Sequence, residues 1–367
     1  MTSAACTRAR RGRIVTVALV ALTVSAVTVS AVTVSDLAVT ASMPAVAARQ
    51  QRTPLQTNGF VLSAPAAMTP GERRMTAASS GGFIYQSGRY TTLDSLAGLP
   101  TAHTAINNRG QIAGSYAPDQ STVRGFIRDS DGHYTAFDGA PGATTFALGM
   151  NDNGTVVGAY GVTEAHGFVR SPDGVVTTVD VPDSLSTTLY DINNRGVLVG
   201  GYVDADGREH GLRLDRGVLT TIDPPGSPAN PQARNTDAVD INDKGQIVGF
   251  YADVEGTYHG YLYANGRFTR IDPPGAANVP NFATTVPWGI NDRGQVVGQY
   301  VDAAGVLHGY LWQPGRGFTT IDPPQITSFD FGVPGAGTIA ADINDRGQIL
   351  LPAPGGLYKG RLATIPS

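Results

Sequence analysis

Four histidines recur at matching places in the chain, each followed by glycine: His166, His210, His259 and His308. Imidazoles in register could face a channel and hold a metal, because neutral imidazole is a common metal ligand. Their periodic use favours a structural bond repeated from unit to unit, to backbone or to a carboxylate of a neighbouring unit. A second candidate is Asp240-Ile241-Asn242-Asp243-Lys244-Gly245, which echoes a calcium loop. Its fifth position is Lys or Arg in most copies, a cation where calcium needs a ligand oxygen, so the segment reads as a turn and no metal is expected. Glu164, Glu209 and Glu255 stand near the turns that precede the histidines and could supply half of a glycosidase carboxylate pair. Surface glutamates are far commoner than paired ones. The chain has no Gly-x-Ser-x-Gly elbow, no His-Glu-x-x-His, no phosphate loop and no dinucleotide fingerprint, so no cofactor is expected.

The elements that must carry these residues form a repeat. One motif occurs six times, at Ile106-Asn107-Asn108-Arg109-Gly110, Met150-Asn151-Asp152-Asn153-Gly154, Ile192-Asn193-Asn194-Arg195-Gly196, Ile241-Asn242-Asp243-Lys244-Gly245, Ile290-Asn291-Asp292-Arg293-Gly294 and Ile343-Asn344-Asp345-Arg346-Gly347. The spacings are 44, 42, 49, 49 and 53 residues. After each turn an apolar run ends in Gly-x-Tyr, with Tyr116, Tyr160, Tyr202, Tyr251 and Tyr300 in register. Then follow a turn, the His-Gly strand, a short turn and a Thr-rich strand ending at Asp94, Asp138, Asp180, Asp223, Asp272 or Asp322. Connections this short allow only antiparallel neighbours. Asn-Asp-x-Gly suits a tight turn in which Asn bonds forward to the backbone and Gly takes the left-handed position. Four antiparallel strands repeated every ~45 residues predict an all-β fold, a β-propeller. The opening hairpin occurs six times and the closing one seven times, from Gly82-Phe83 to Gly356-Leu357-Tyr358. That surplus favours seven blades, with residues 57–80 completing the seventh; six is the alternative. The tyrosine column is expected to pack between blades with its hydroxyls bonded, Trp288 to be core and Trp312 to be partly exposed.

Residues shared by every unit build the unit, so a localised function belongs where the units differ. The connections 224–235, 273–283 and 323–337 are longer than the others. Strand alternation places all three on one face, opposite the Asn-Asp-x-Gly turns. Loops of this kind concentrate binding residues. The candidate ligand-binding set is Asn281, Phe282, Phe329, Asp330 and Phe331, a stacking-plus-acceptor group for a sugar or peptide.

The N-terminus reads as an export signal, residues 1–48. Arg8, Arg10, Arg11 and Arg13 precede an uncharged run, Ile14 to Val34, and small residues converge on Ala45-Val46-Ala47. The run is also long enough to be a membrane anchor if it is not cleaved. Residues 49–80 read as a low-complexity lead-in and 81–367 as the repeat domain. Beyond residue 48 the chain has 22 basic and 29 acidic residues, a net charge of −7, which argues against nucleic acid as a partner. No cysteine remains there, so the fold must rest on its core rather than on disulfides.

Ile-Asn-Asp-x-Gly, Gly-x-Tyr, His166-Gly167-Phe168 and Thr-Thr-Ile-Asp together resemble the HAF-repeat family of exported bacterial proteins, over residues 81–365. Arg124-Gly125-Phe126 departs from the pattern by lacking the His. The resemblance implies an extracellular location and a repeat architecture, and no reaction. The expected function is a secreted, monomeric, non-enzymatic propeller that contacts a glycan, a cell-wall polymer or a protein. The alternative is a secreted polysaccharide hydrolase or lyase with its site on the long-loop face.

Overall fold

Turn chemistry sets the strands. In all six Asn-Asp-x-Gly turns the glycine is left-handed, from Gly110 at φ 79° to Gly347 at φ 74°. The first Asn closes the turn in the way its sequence suggests. Asn242 Oδ1 accepts from the backbone N–H groups of Lys244 and Gln246, at 3.1 and 3.0 Å. The chain is described by a computed structural model that covers residues 80–119, 121–161, 164–227, 236–278, 284–322 and 337–352. The export segment and most of the lead-in lie outside the described residues.

The described strands form six four-stranded antiparallel sheets. Blades 1 to 5 span residues 101–137, 145–178, 186–221, 236–270 and 285–321, each in simple up-and-down order. Blade 6 is composite. Its two inner strands are Asp342–Ile343 and Ile349–Pro352, and its two outer strands are Ser80–Gln86 and Arg89–Asp94. The joint is an antiparallel pairing that runs from Gly82↔Pro352 to Tyr85↔Ile349. First strands of successive blades neighbour one another all the way round, including blade 6 against blade 1. The described residues thus form a closed six-bladed β-propeller. Six, the alternative blade count, is what these strands form, because the first closing hairpin pairs with the last opening one. Residues 57–79 and the last closing hairpin at Gly356-Leu357-Tyr358, on which the count of seven rested, lie outside the described residues.

Apolar side chains fill the spaces between blades, as radial packing requires. Ala105, Ala113 and Phe137 of blade 1 meet Ala147, Met150, Val156 and Phe168 of blade 2. Val248 and Ile271 of blade 4 meet Ile290, Val296 and Tyr310 of blade 5. At the closure Leu93 and Leu350 meet Ile106 and Ile112. In blades 1 to 5 the first strand shifts register just before its end, for example between Ala238 and Asp240, which leaves one extra residue as a bulge. In blade 5 that residue is Trp288, only 4% exposed, in a cluster with Val239, Phe250 and Ala341 from the blades on either side. Trp288 is core, as expected, and Trp312 is half-buried. The Gly of Gly-x-Tyr is explained by crowding: a Cβ on Gly249 would lie 2.0 Å from the carbonyl oxygen of Asp237.

Candidate functional site

The Asn-Asp-x-Gly turns converge on the axis and enclose a cavity of about 70 Å³. Two rings of hydrogen bonds surround it. In the first, each turn's leading Asn donates from Nδ2 to the corresponding carbonyl of the next blade. The sequence is Asn107 to Asn151, Asn151 to Asn193, Asn193 to Asn242, Asn242 to Asn291, Asn291 to Asn344, and Asn344 back to Asn107, at 3.0–3.2 Å. In the second ring the backbone N–H after each Asn donates to the side chain at the equivalent position one blade on. Asn108 reaches Asp152, Asp152 reaches Asn194, Asn194 reaches Asp243, Asp243 reaches Asp292, Asp292 reaches Asp345, and Asp345 reaches Asn108, at 2.7–2.8 Å.

Asn108 also bridges two carboxylates, donating from Nδ2 to Asp152 at 2.9 Å and to Asp345 at 2.7 Å. Asn194 does the same for Asp152 and Asp243. Between Asp243 and Asp345 stands Asp292, flanked by acids on both sides. Burial, then the charges of Asp345 and Asp243, hold its carboxyl above the usual range, against the lowering effect of the Asp243 N–H. Deeper in, Asp240 accepts from its own neighbour Ile241 N and from Ile290 N of the next blade, and Asp342 accepts from Ile106 N. The oxygens that resembled calcium ligands therefore serve backbone N–H groups. Among the described residues no three His, Cys, Asp or Glu side chains are grouped to hold a metal.

The histidines lie on the outer part of the opposite face. Each bonds the Asp that ends its blade's fourth strand, and three of them also bond the Asp of the preceding turn. His210 Nδ1 is 2.7 Å from Asp223 and its Nε2 is 3.2 Å from Asp204. His259 bridges Asp272 and Asp253 at 2.9 and 3.0 Å, and His308 bridges Asp322 and Asp302 at 2.7 and 3.3 Å. His166 pairs with Asp180 at 2.8 Å. These carboxylates belong to the histidine's own blade, whereas the sequence suggested a partner in the neighbouring one. Arg124 takes the same place in blade 1, with its Nε 2.7 Å from Asp138. The tyrosine column packs on these rings, Tyr202 on His210 and Tyr300 on His308 with centroids 5.0 Å apart. Tyr hydroxyls meet threonines of the outer strand, as in Tyr202 with Thr221 at 3.2 Å.

Burial lowers the His210 pKa, but the hydrogen bonds to Asp223 and Asp204 outweigh it and the net shift is upward. The same balance raises His308 through Asp322 and Asp302. Asp302 is held low, first by the Val306 N–H and then by His308. These imidazoles are thus clamps between two carboxylates, with both ring nitrogens engaged. Glu164 and Glu255 are exposed, Glu209 is buried, and each belongs to a different blade.

The predicted ligand set, Asn281, Phe282, Phe329, Asp330 and Phe331, lies outside the described residues. On the described part of that face there is a hollow of about 290 Å³ lined by Pro182, Asp183, Ser184, Tyr202, Asp204, Ala205 and Asp206. It forms where the connection into blade 3 crosses the blade's second turn, tied by Leu185 N donating to Val203 O at 2.7 Å. Asp183 sits there with φ 61°, a left-handed residue that is not glycine. Sequence reasoning missed this hollow, because it arises where a short connection meets a turn and no composition marks it.

No protein-family model matches the chain, and no curated protein matches it. Solved structures similar in backbone include TolB from Acinetobacter baumannii, at 14% identity and a TM-score of 0.45, covering 73% of this chain and 58% of TolB. The chain thus spans less than two thirds of that protein. A streptogramin B lyase is similar at 13% identity and a TM-score of 0.43, over 76% of this chain and 95% of the lyase. The six-bladed fucose-recognising lectin of Aleuria aurantia is similar at 12% identity and a TM-score of 0.42, over 64% of this chain and 83% of the lectin.

Proposed function

We propose that this chain is an exported, non-enzymatic binding or scaffold propeller that contacts a glycan, a cell-wall polymer or a protein through its long-connection face. The observation that carries this reading is where the clamps sit. Asp223, Asp272 and Asp322, each held by a histidine, are the residues from which the three long connections depart. Repeat chemistry fixes the roots and the sequence diverges beyond them, the arrangement by which rigid scaffolds present variable binding loops. The imidazoles that could have served as acids or bases are committed to these clamps. The hollow beside Tyr202, near the lower size limit of small-ligand sites, lies on the same face. Export rests on the basic n-region, the apolar run and the Ala45-Val46-Ala47 site, together with the resemblance to HAF repeats.

The test is a screen of the purified protein against immobilised glycans and wall polymers, read beside release of reducing sugar. Binding without release is expected. Phe329→Ala with Phe331→Ala should weaken binding about tenfold or more with the melting temperature unchanged, as loss of two stacking rings implies. Steady sugar release at catalytic protein concentrations would establish the hydrolase or lyase instead.

A further inference from the structure

The chain is acidic overall, with a net charge of −4, yet half of one face is basic. First and third turns of each blade lie at the same end. In blade 6, Gln86 Nε2 donates to the carbonyl of Arg346 at 3.0 Å, and in blade 5 a Cβ on Gly294 would meet Pro314 at 3.5 Å. On blades 4 to 6 this end carries Lys244, Arg293 and Arg346 from first turns and Arg267, Arg316 and Arg89 from third turns, all exposed. Those third turns read Ala-Asn-Gly-Arg, Gln-Pro-Gly-Arg-Gly and Gln-Ser-Gly-Arg, without an acid. In blades 1 to 3 the same turns carry Asp129 and Asp131, Asp173, and Asp215. The acids nearest the basic half, Asp243, Asp292 and Asp345, line the axial cavity and accept ring hydrogen bonds. Arg293 reaches sideways, donating from Nη2 to the Asp345 carbonyl at 2.6 Å. Gly347 leaves it room, since a Cβ there would come within 3.2 Å of the guanidinium.

We propose that the blade 4–6 half of this face is a docking surface for a linear anionic polysaccharide, one bearing carboxylate or sulfate groups. It is separate from the long-connection face, so it stands or falls independently of the reading above. Six cations drawn from six turns on three blades form a band rather than a pocket, which suits an extended polymer with repeated charge. Arginine accounts for five of the six, and its planar fork pairs with carboxylate and sulfate oxygens two at a time. A bilayer is disfavoured because, among the described residues, none of the exposed large apolar side chains lies on the turns of blades 4 to 6: Val175, Val218 and Leu219 follow third turns of blades 2 and 3, and Leu185 and Val254 lie at the other end. Nucleic acid is disfavoured because, among the described residues, no exposed aromatic stands among the cations to stack a base; Phe268 and Phe318 are half-buried against Tyr263 and Tyr310.

The experiment uses the chain purified from its producing host, titrated at low and high salt against heparin and polygalacturonate. Neutral dextran, duplex DNA and vesicles containing anionic lipid serve as the other arms. Binding to the two acidic polysaccharides is expected, weakening as salt rises because exposed charges are screened. Arg89→Gln with Arg267→Gln and Arg316→Gln should lose about tenfold or more in affinity, whereas Arg109→Gln with Arg195→Gln and Arg216→Gln, an equal change in charge on the other half, should lose about threefold at most. Both triples should melt close to the parent, because among the described residues none of the six arginines donates a side-chain hydrogen bond, and Arg216 makes only an exposed ion pair with Asp215 at 3.8 Å. Failure to bind either acidic polysaccharide at low salt, equal losses for the two triples, or tighter binding to DNA or vesicles would each overturn the proposal.

Discussion

The inner rim and the outer rim of this propeller both use Asp, Asn and hydrogen-bonded turns, and they do opposite jobs. At the inner rim each turn closes itself and also sends two bonds to the next blade, and all six blades take part. At the outer rim the bonds stay within a blade, and the residue type is free to change: His in blades 2 to 5, Arg124 in blade 1, and Gly81 at the matching place in blade 6. A ring tolerates no missing link, because each blade depends on both neighbours. A clamp that serves one blade can be replaced or lost locally. The difference teaches which repeated residues specify the ring and which merely finish a blade.

Breaking the inner rim should have the largest effect. Asn344→Ala removes a bond to the Asn107 carbonyl across the closure and also the acceptor for two turn N–H groups, Arg346 and Gln348. Because Asn344 is only 4% exposed, these groups lose their partner in a buried setting, and a loss of about 3 kcal/mol in chemical unfolding is expected. A loss no larger than that from His166→Ala, a clamp on a single carboxylate, would erase the distinction between the rims.

Next comes the turn that presents each ring residue. Gly245→Val should cost about 2 kcal/mol or more, because φ 76° is strained for a β-branched residue, while the exposed Lys244→Ala should cost close to nothing. Equal melting shifts for the two would show that the turn conformation is not what positions Asn242 and Asp243.

The outer rim should show itself mainly through pH. His210 and His308 have raised pKa values in the folded state, so the stability they add is complete below about 6.5 and is lost as pH rises through the folded values. Asp204 and Asp302 are lowered, so their share is present above about 4 and is lost as pH falls. Melting temperature should therefore peak in mildly acidic buffer and decline through neutrality. His210→Gln with His308→Gln should flatten the alkaline decline. A double variant whose profile keeps the parent's slope would mean that the clamps carry no proton-linked stability.

Much of this was legible in the sequence where the cause is local. Gly245 and Asn242 announce a turn because the turn's own atoms demand those residues, and the repeat multiplied that signal six times. Blade number was not legible, since it depends on residues 82–85 choosing residues 349–352 across nearly the whole chain. The partner carboxylates of the histidines were each visible as an Asp, but nothing in the spacing says whether a bond runs within a blade or between two. The cations on blades 4 to 6 were visible one by one; only the radial arrangement gathers them on one side.

The composite blade also sets an order of events. The hairpin at residues 80–94 is made, and emerges, long before the strands at 342–352 that complete its sheet. Until then the other five blades form an open arc with two unsatisfied ends, one of them lacking the donors that Asn344 and Asp345 supply and the carboxylate of Asp342 that accepts from Ile106. Closing so long a loop adds little thermodynamic cost, because loop entropy grows only slowly with length, but long-range pairing is slow. In that interval the early hairpin of one molecule can pair with the late strands of another, which makes the exchange of residues 80–94 between two copies the characteristic misassembly of this fold.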